Sequence, residues 1–158
     1  MTPLLDGWHG DASRMYLVGA VSLKARCLVE VTYEALMRGI EQARPGNHLG
    51  GHRSRHRAVR RALWLRHCAR LLRPWLGRVF HDAPEVLHVG QSGSGPQLRP
   101  GMFFTIEPML NAGSQAVKVL KDGWTIVTCD HSLSAQFEHS IGITATGCEI
   151  FTLSAAER

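Results

Sequence analysis

Apolar positions change their spacing along this chain, and the changes divide it into three stretches. From Ser22, whose hydroxyl suits a helix N-cap, Leu28, Val31, Thr32, Ala35, Leu36 and Ile40 recur at the three-and-four spacing of one helix face. A helix is predicted there, ending at Pro45-Gly46. Ahead of it, Asp6-Gly7 and His9-Gly10-Asp11 make a turn-rich opening, and Met15-Tyr16-Leu17-Val18 is a β-prone run predicted as a strand. After Pro84 the texture becomes short apolar runs divided by Gly, Pro and Asn. Residues 86–89, 102–107, 124–128, 135–144 and 149–153 are the predicted strands, with turns at Arg99-Pro100-Gly101, Asn111-Ala112-Gly113 and Asp122-Gly123. One strong helix ahead of an antiparallel sheet is the α+β class. Between these stretches, residues 51–76 keep no period, because arginines interrupt every apolar stripe, and an irregular or helix-like segment with exposed arginines is expected.

Composition fits one unit. With 158 residues, 44% of them hydrophobic, the chain can bury one sizeable core, and residues 1–158 read as a single domain. Cys27, Cys68, Cys129 and Cys148 share no C-x-x-C spacing and no leader pattern opens the chain, so a reduced cytoplasmic protein is expected. No apolar run approaches the roughly 20 residues of a membrane span.

The net charge of +5 is local rather than general. Residues 51–76 hold eight arginines, three histidines and no Asp, Glu or Lys. Without them, ten basic side chains face thirteen acidic ones, a balance of −3.

Two carboxylates stand out because they interrupt strand-like apolar runs: Glu107 in Thr105-Ile106-Glu107-Pro108 and Glu138 in Gln136-Phe137-Glu138-His139. A desolvated carboxylate needs a cation or a metal, and two such strands paired antiparallel would aim both at one spot. Asp11 in its glycine turn could add an oxygen ligand, and His81 a nitrogen or a proton-transfer group. Against this, a strand Glu usually faces solvent, and His9, His48, His88, His131 and His139 read as surface histidines. Residues 90–95 are glycine-rich but follow no strand-to-helix pattern, and read as a hairpin loop rather than a phosphate loop.

Longer strings change these odds. Asp6-Gly7-Trp8-His9-Gly10-Asp11-Ala12-Ser13-Arg14-Met15 resembles the D-G-x-H-G-D-[TA]-S-[RK]-M segment of type I methionine aminopeptidases. Gly77-Arg78-Val79-Phe80-His81-Asp82-Ala83-Pro84, Pro100-Gly101-Met102-Phe103-Phe104-Thr105-Ile106-Glu107-Pro108-Met109, Asp122-Gly123-Trp124-Thr125 and Ser132-Leu133-Ser134-Ala135-Gln136-Phe137-Glu138-His139 match further segments in the same order. The resemblance is to the C-terminal two-thirds of such a protein and spans nearly all of the chain outside residues 51–76. It implies a pita-bread fold with an incomplete first half, enclosing two divalent metals (cobalt, manganese, iron or zinc) that activate water against the first peptide bond. By position it implies Asp11, Glu107 and Glu138 as metal ligands. It implies His81 as the group contacting the scissile amide, and Phe80 and Trp124 as lining the methionine side-chain pocket. The implied substrate is the N-terminal methionine of nascent peptides, met near the ribosome by a cytoplasmic monomer with no membrane or specific nucleic-acid partner.

The departures from the family are equally specific. Its first aspartate would fall one residue before Met1, and its histidine ligand falls on Pro74, which has no donor, so three of five ligands are expected and the chain is expected to be impaired. Residues 51–76 have the family's length without its pattern, as translation in a shifted frame would produce. Codons chosen for residues 69–77, read one base later, give R-D-Y-C-G-H-G-L, the family's histidine string, and residues 51–56 similarly contain D-I-G-H-A. Two compensating frameshifts, near Gly50 and Leu76, account for the arginines without a selected basic patch. Two readings compete with the hydrolase. One is a non-catalytic nucleic-acid or ribosome binder using the arginine segment, and the other a pita-bread module that keeps the pocket but not the metals.

Overall fold

Ser22 takes extended backbone (φ −63°, ψ 151°), and its hydroxyl accepts the Ala25 N–H at 3.2 Å, so α1 (Leu23–Glu41) starts at the predicted cap. Leu28, Val31, Thr32, Ala35, Leu36, Gly39 and Ile40 form the buried stripe the spacing calls for. Thr32 is tolerated inside it because its hydroxyl donates to the Leu28 carbonyl at 2.6 Å. The computed structural model describes residues 1–48, 66–67, 72–75, 77–79, 82–87, 95–155 and 157.

The strands in chain order are β1 (Leu4–Leu5), β2 (Trp8–His9), β3 (Arg66–His67), β4 (Leu72–Trp75), β5 (Asp82–Leu87), β6 (Phe103–Ile106), β7 (Met109–Asn111), β8 (Val117–Val119), β9 (Ile126–Thr128), β10 (Ser134–Gln136), β11 (His139–Ile143) and β12 (Cys148–Ile150). All their pairings are antiparallel. A five-stranded sheet runs β12-β11-β6-β4-β5, a three-stranded sheet β10-β7-β3, and β1-β2 and β8-β9 are separate hairpins. Two ribbons cross between the larger sheets without a loop. One is β6 to β7 through Glu107-Pro108, where Pro108 has no N–H to continue a ladder, and the other β10 to β11 through Phe137-Glu138.

The helix spans both sheets. Leu36 and Ile40 pack with Phe104, Ile106, Phe137, Ile141 and Ile143 of the five-stranded side, whereas Leu28, Val31 and Ala35 pack with Leu110 and Ala135 of the three-stranded side. Strand crossings and helix together fix how one sheet sits on the other.

Several expectations need correction. Residues 15–18 form no strand, and Tyr16, Leu17 and Val18 are exposed: among the described residues no strand pairs with them, and β-propensity alone does not make a strand. The run 135–144 is two strands, split where the chain changes sheets. The strand expected at 86–89 begins earlier, at Asp82, and 88–89 lie outside the described residues. Within 51–76 the described portions are strands β3 and β4 rather than irregular or helical, because neighbouring strands supply edges; the remainder, with residues 90–94 of the glycine-rich loop, lies outside the described residues. The predicted turns at Asp6-Gly7, 99–101 and Asp122-Gly123 are present, with Gly7, Gly101 and Gly123 at positive φ. Among the described residues no helix is long and apolar enough to cross a membrane. Cys27, Cys129 and Cys148 are free thiols, and Cys68 lies outside the described residues.

Candidate metal-binding face

Strand register decides which side chains share a face. β6 and β11 pair His139 with Ile106 and Ser140 with Thr105, so one step further the same register sets Glu138 opposite Glu107. Directly opposed residues of an antiparallel pair point to one side of the sheet. On the other edge of β11, Ser13 bridges Glu138, and past that bridge the Asp11 backbone is held by the Ser140 hydroxyl, which points to the same side as Glu138 two residues away. Asp11, Ser13, Thr105, Glu107, Glu138 and Ser140 therefore belong to one face, contributed by three adjacent segments. Asp11, Glu107 and Glu138 are all buried there, Glu107 at 0% exposure.

Each carboxylate is tied in place. Glu107 Oε2 accepts the Gln136 side-chain amide at 2.7 Å, a bond that reaches from the three-stranded sheet across the crossing. Asp11 Oδ1 accepts the Thr2 hydroxyl at 2.9 Å and lies 3.7 Å from the Met1 ammonium. Glu138 is fixed through its backbone, its N–H donating to the Ser13 carbonyl at 2.9 Å and its carbonyl accepting the Ser13 N–H at 3.3 Å. The Ser140 hydroxyl bonds both backbone groups of Asp11.

Beside this face, His139 is buried, contrary to its surface reading. Its Nδ1 is 2.9 Å from the Thr152 hydroxyl, and its Nε2 is 3.7 Å from the Glu157 carboxylate, which Arg14 meets at 2.8 Å. Burial pulls the His139 imidazole below its ordinary range, with the Glu157 charge opposing and the Arg14 charge assisting. Burial alone would raise the Glu157 carboxyl, but hydrogen bonds from Ser154 and the Arg14 charge hold it below the usual value. Trp124 is 78% exposed at the turn between β8 and β9, where Asp122 accepts its N–H at 3.1 Å. His81 and Phe80 lie outside the described residues.

Buried carboxylate oxygens on a common face are the donors that hard and borderline divalent cations take. In donor chemistry Asp11, Glu107 and Glu138 fit such an ion. Among the described residues, however, no group of three or more His, Cys, Asp or Glu side chains is gathered closely enough to hold one. A complete metal cage is thus not formed by these residues alone.

Gln136 and Ser140 were not singled out from the sequence, although a signal was there. Gln136, Glu138 and Ser140 alternate with Ala135, Phe137, His139 and Ile141, a strand period whose second side is apolar but for His139. Reading that alternation as a site face would have named both.

Residues 1–145 match metallopeptidase family M24. The chain is similar to the methionine aminopeptidase of Rickettsia prowazekii, 50% identical over 161 residues that cover 98% of this chain and 60% of that protein. It is 40% identical to the methionine aminopeptidase of Escherichia coli K12, covering 97% of this chain and 58% of that protein. The crystal structure of the Rickettsia prowazekii enzyme superposes with a TM-score of 0.91 over 96% of this chain and 62% of its own at 50% identity. That of the Thermotoga maritima methionine aminopeptidase gives 0.89 at 37% identity, over 94% of this chain and 60% of its own. A prolidase from Pyrococcus furiosus, 21% identical with a TM-score of 0.71, shares the fold alone. The pita-bread fold expected from the sequence therefore holds, and the chain spans about 60% of the length of these methionine aminopeptidases. With its M24 match running over most of its length, the chain belongs to metallopeptidase family M24.

Proposed function

We propose that this chain is the carboxylate-bearing core of a methionine aminopeptidase, in which Asp11, Glu107 and Glu138 hold divalent metal and the substrate is a peptide beginning with methionine. The observation that carries the reading is the shared buried face of the three carboxylates. Similarity to the Rickettsia and Escherichia coli methionine aminopeptidases supports the substrate class. Divalent cations at such carboxylates supply Lewis acidity toward a peptide carbonyl.

The chain's own residues bind and orient. Glu107 and Glu138 stand at strand crossings rather than on loops, and the Gln136 amide donates to one Glu107 oxygen. In this reading His81 contacts the scissile amide, and Phe80 and Trp124 line the methionine pocket, Trp124 from an open rim. The surroundings proposed are the cytoplasm, a monomeric state and nascent chains at the ribosome.

Position 74 supports the reading that the chain as written is impaired. Trp75 pairs with Phe104, so Pro74 stands on the strand beside the one that runs into Glu107. A histidine there would add a nitrogen donor on the neighbouring strand, and proline brings none. The shifted frame of residues 51–76 supplies that histidine.

Purified with manganese or cobalt and a Met-Ala-Ser peptide, the 158-residue chain is expected to release no methionine above background. A version with residues 51–76 read in the shifted frame and the start extended upstream is expected to release it readily. Turnover by the chain as written would overturn the impairment, and inactivity of the repaired, folded protein would overturn the aminopeptidase assignment.

A further inference from the structure

Asp11 is held to the sheet by a side chain where a ladder would use main chain. Ser13 and Glu138 form a hydrogen-bonded pair at 2.9 and 3.3 Å, and two residues further along each segment stand Asp11 and Ser140. Main-chain pairing cannot continue there. The Ser140 N–H already donates to the Thr152 hydroxyl at 3.1 Å, and the Ser140 carbonyl accepts the Phe151 N–H at 3.0 Å. The Ser140 hydroxyl does both jobs instead, accepting the Asp11 N–H at 2.8 Å and donating to the Asp11 carbonyl at 2.6 Å. Both residues are 5% exposed, so bulk water does not compete for these bonds.

Pinning the N–H and the C=O of one residue fixes its backbone torsions, and with them the direction of its Cα–Cβ bond. The neighbouring backbone donors do not substitute for this: the Gly10 N–H bonds to the Pro3 carbonyl at 2.9 Å and the Ala12 N–H to the Met1 carbonyl at 3.1 Å, neither of them on the sheet. We propose that Ser140 is a positioning residue that clamps the Asp11 backbone to β11, fixing the Asp11 carboxylate relative to Glu138 and thereby setting divalent-cation affinity. The inference rests on the metal-binding reading above.

Three variants separate the hydroxyl from its volume. Ser140→Ala removes it, Ser140→Cys keeps the shape with a weakly bonding sulfur, and Ser140→Thr keeps the hydroxyl. On the folded 158-residue chain, two quantities are measured: amide hydrogen exchange at Asp11, and Mn²⁺ affinity by calorimetry, with thermal melting of the metal-free protein alongside. In the alanine and cysteine variants the Asp11 amide is expected to exchange at least about tenfold faster while the Ser13 and Glu138 amides keep their protection, and Mn²⁺ binding is expected to weaken by about 10–100-fold. Threonine is expected to restore both.

An Asp11 amide that stays protected without the hydroxyl would overturn the clamp. Faster exchange or a lowered melting temperature with unchanged Mn²⁺ affinity would reduce Ser140 to a structural role and overturn the positioning proposal. Should the unsubstituted chain take up no Mn²⁺, the metal-binding reading itself fails and the proposal falls with it. That result is distinct from the proposal's own failure, in which the parent chain binds Mn²⁺ and the alanine variant binds it equally well.

Discussion

Replacing Gln136 by leucine removes the amide that donates to Glu107 Oε2 at 2.7 Å while roughly preserving volume. Glu107 is fully buried, so the oxygen that loses this donor has no ready access to bulk water. Hydrogen bonds to charged groups contribute about 1.5–3 kcal/mol. Gln136→Leu is therefore expected to destabilise by about 1.5–3 kcal/mol. For a chain of this size each kcal/mol lowers Tm by roughly 2–4 °C, giving a fall of about 5–10 °C. Urea unfolding followed by circular dichroism measures this, and a cycle with Glu107→Leu and the double variant isolates the pair. The coupling energy is expected to be about 1.5–3 kcal/mol, since the double variant removes donor and charge together. A coupling below about 0.5 kcal/mol, the level of independent sites, would show that Gln136 does not hold Glu107 and would refute the orienting role.

Three further outcomes follow from the packing. Leu36 has no exposed surface and lies in the cluster joining α1 to the five-stranded sheet, so Leu36→Ala is expected to cost about 3–4 kcal/mol, read by the same denaturant titration. A Cβ added to Gly113 would sit 2.3 Å from Asp130 Oδ2 and 2.8 Å from the Ser132 Cβ and Oγ, so Gly113→Ala is expected to lower Tm and to loosen the Asp130 turn, visible as faster exchange of the Ser114 amide. The Ser114 N–H first, and then Ser132, hold the Asp130 carboxyl down to about 2 from 3.8. Its folded value is the lower one, so its contribution is present above the ordinary value and lost as pH falls from 3.8 to about 2. Asp130→Asn is expected to flatten the acid limb of the stability profile in that window, and an unchanged limb would contradict it.

The helix was legible residue by residue, because Leu28 to Ile40 carry the period that burial against sheets demands and Ser22 has the one side chain nearby that caps it. The fold class was legible from the turn residues, since glycine at 101 and 123 is needed for the positive φ found there. Which strands exist was less so. Residues 15–18 have the composition of a strand but pair with no strand among the described residues, while Arg66–His67 and Leu72–Trp75 have poor composition and pair because an edge is offered. Of the candidate site, Glu107 and Glu138 stood out as carboxylates out of place in apolar runs and Asp11 as one in a glycine turn; strand register brings the two glutamates to one face and the Ser140 hydroxyl ties Asp11 beside them. Their supports did not stand out, because a glutamine or serine on a strand is unremarkable until the partner segment is known.

The loopless crossings at Glu107-Pro108 and Phe137-Glu138 leave these two positions without slack. A single-residue insertion or deletion in a surface loop is absorbed locally, but at either crossing it would invert every side chain between the joint and the next turn, sending Asn111 or Ile141 from inside to outside. Length tolerance along this chain should therefore be mapped inversely to its loops. The β8–β9 turn can grow or shrink, whereas the crossings admit substitution alone, and a lineage drifting in sequence would keep the spacing from Phe103 to Asn111 and from Ser134 to Ile143 after much else had changed.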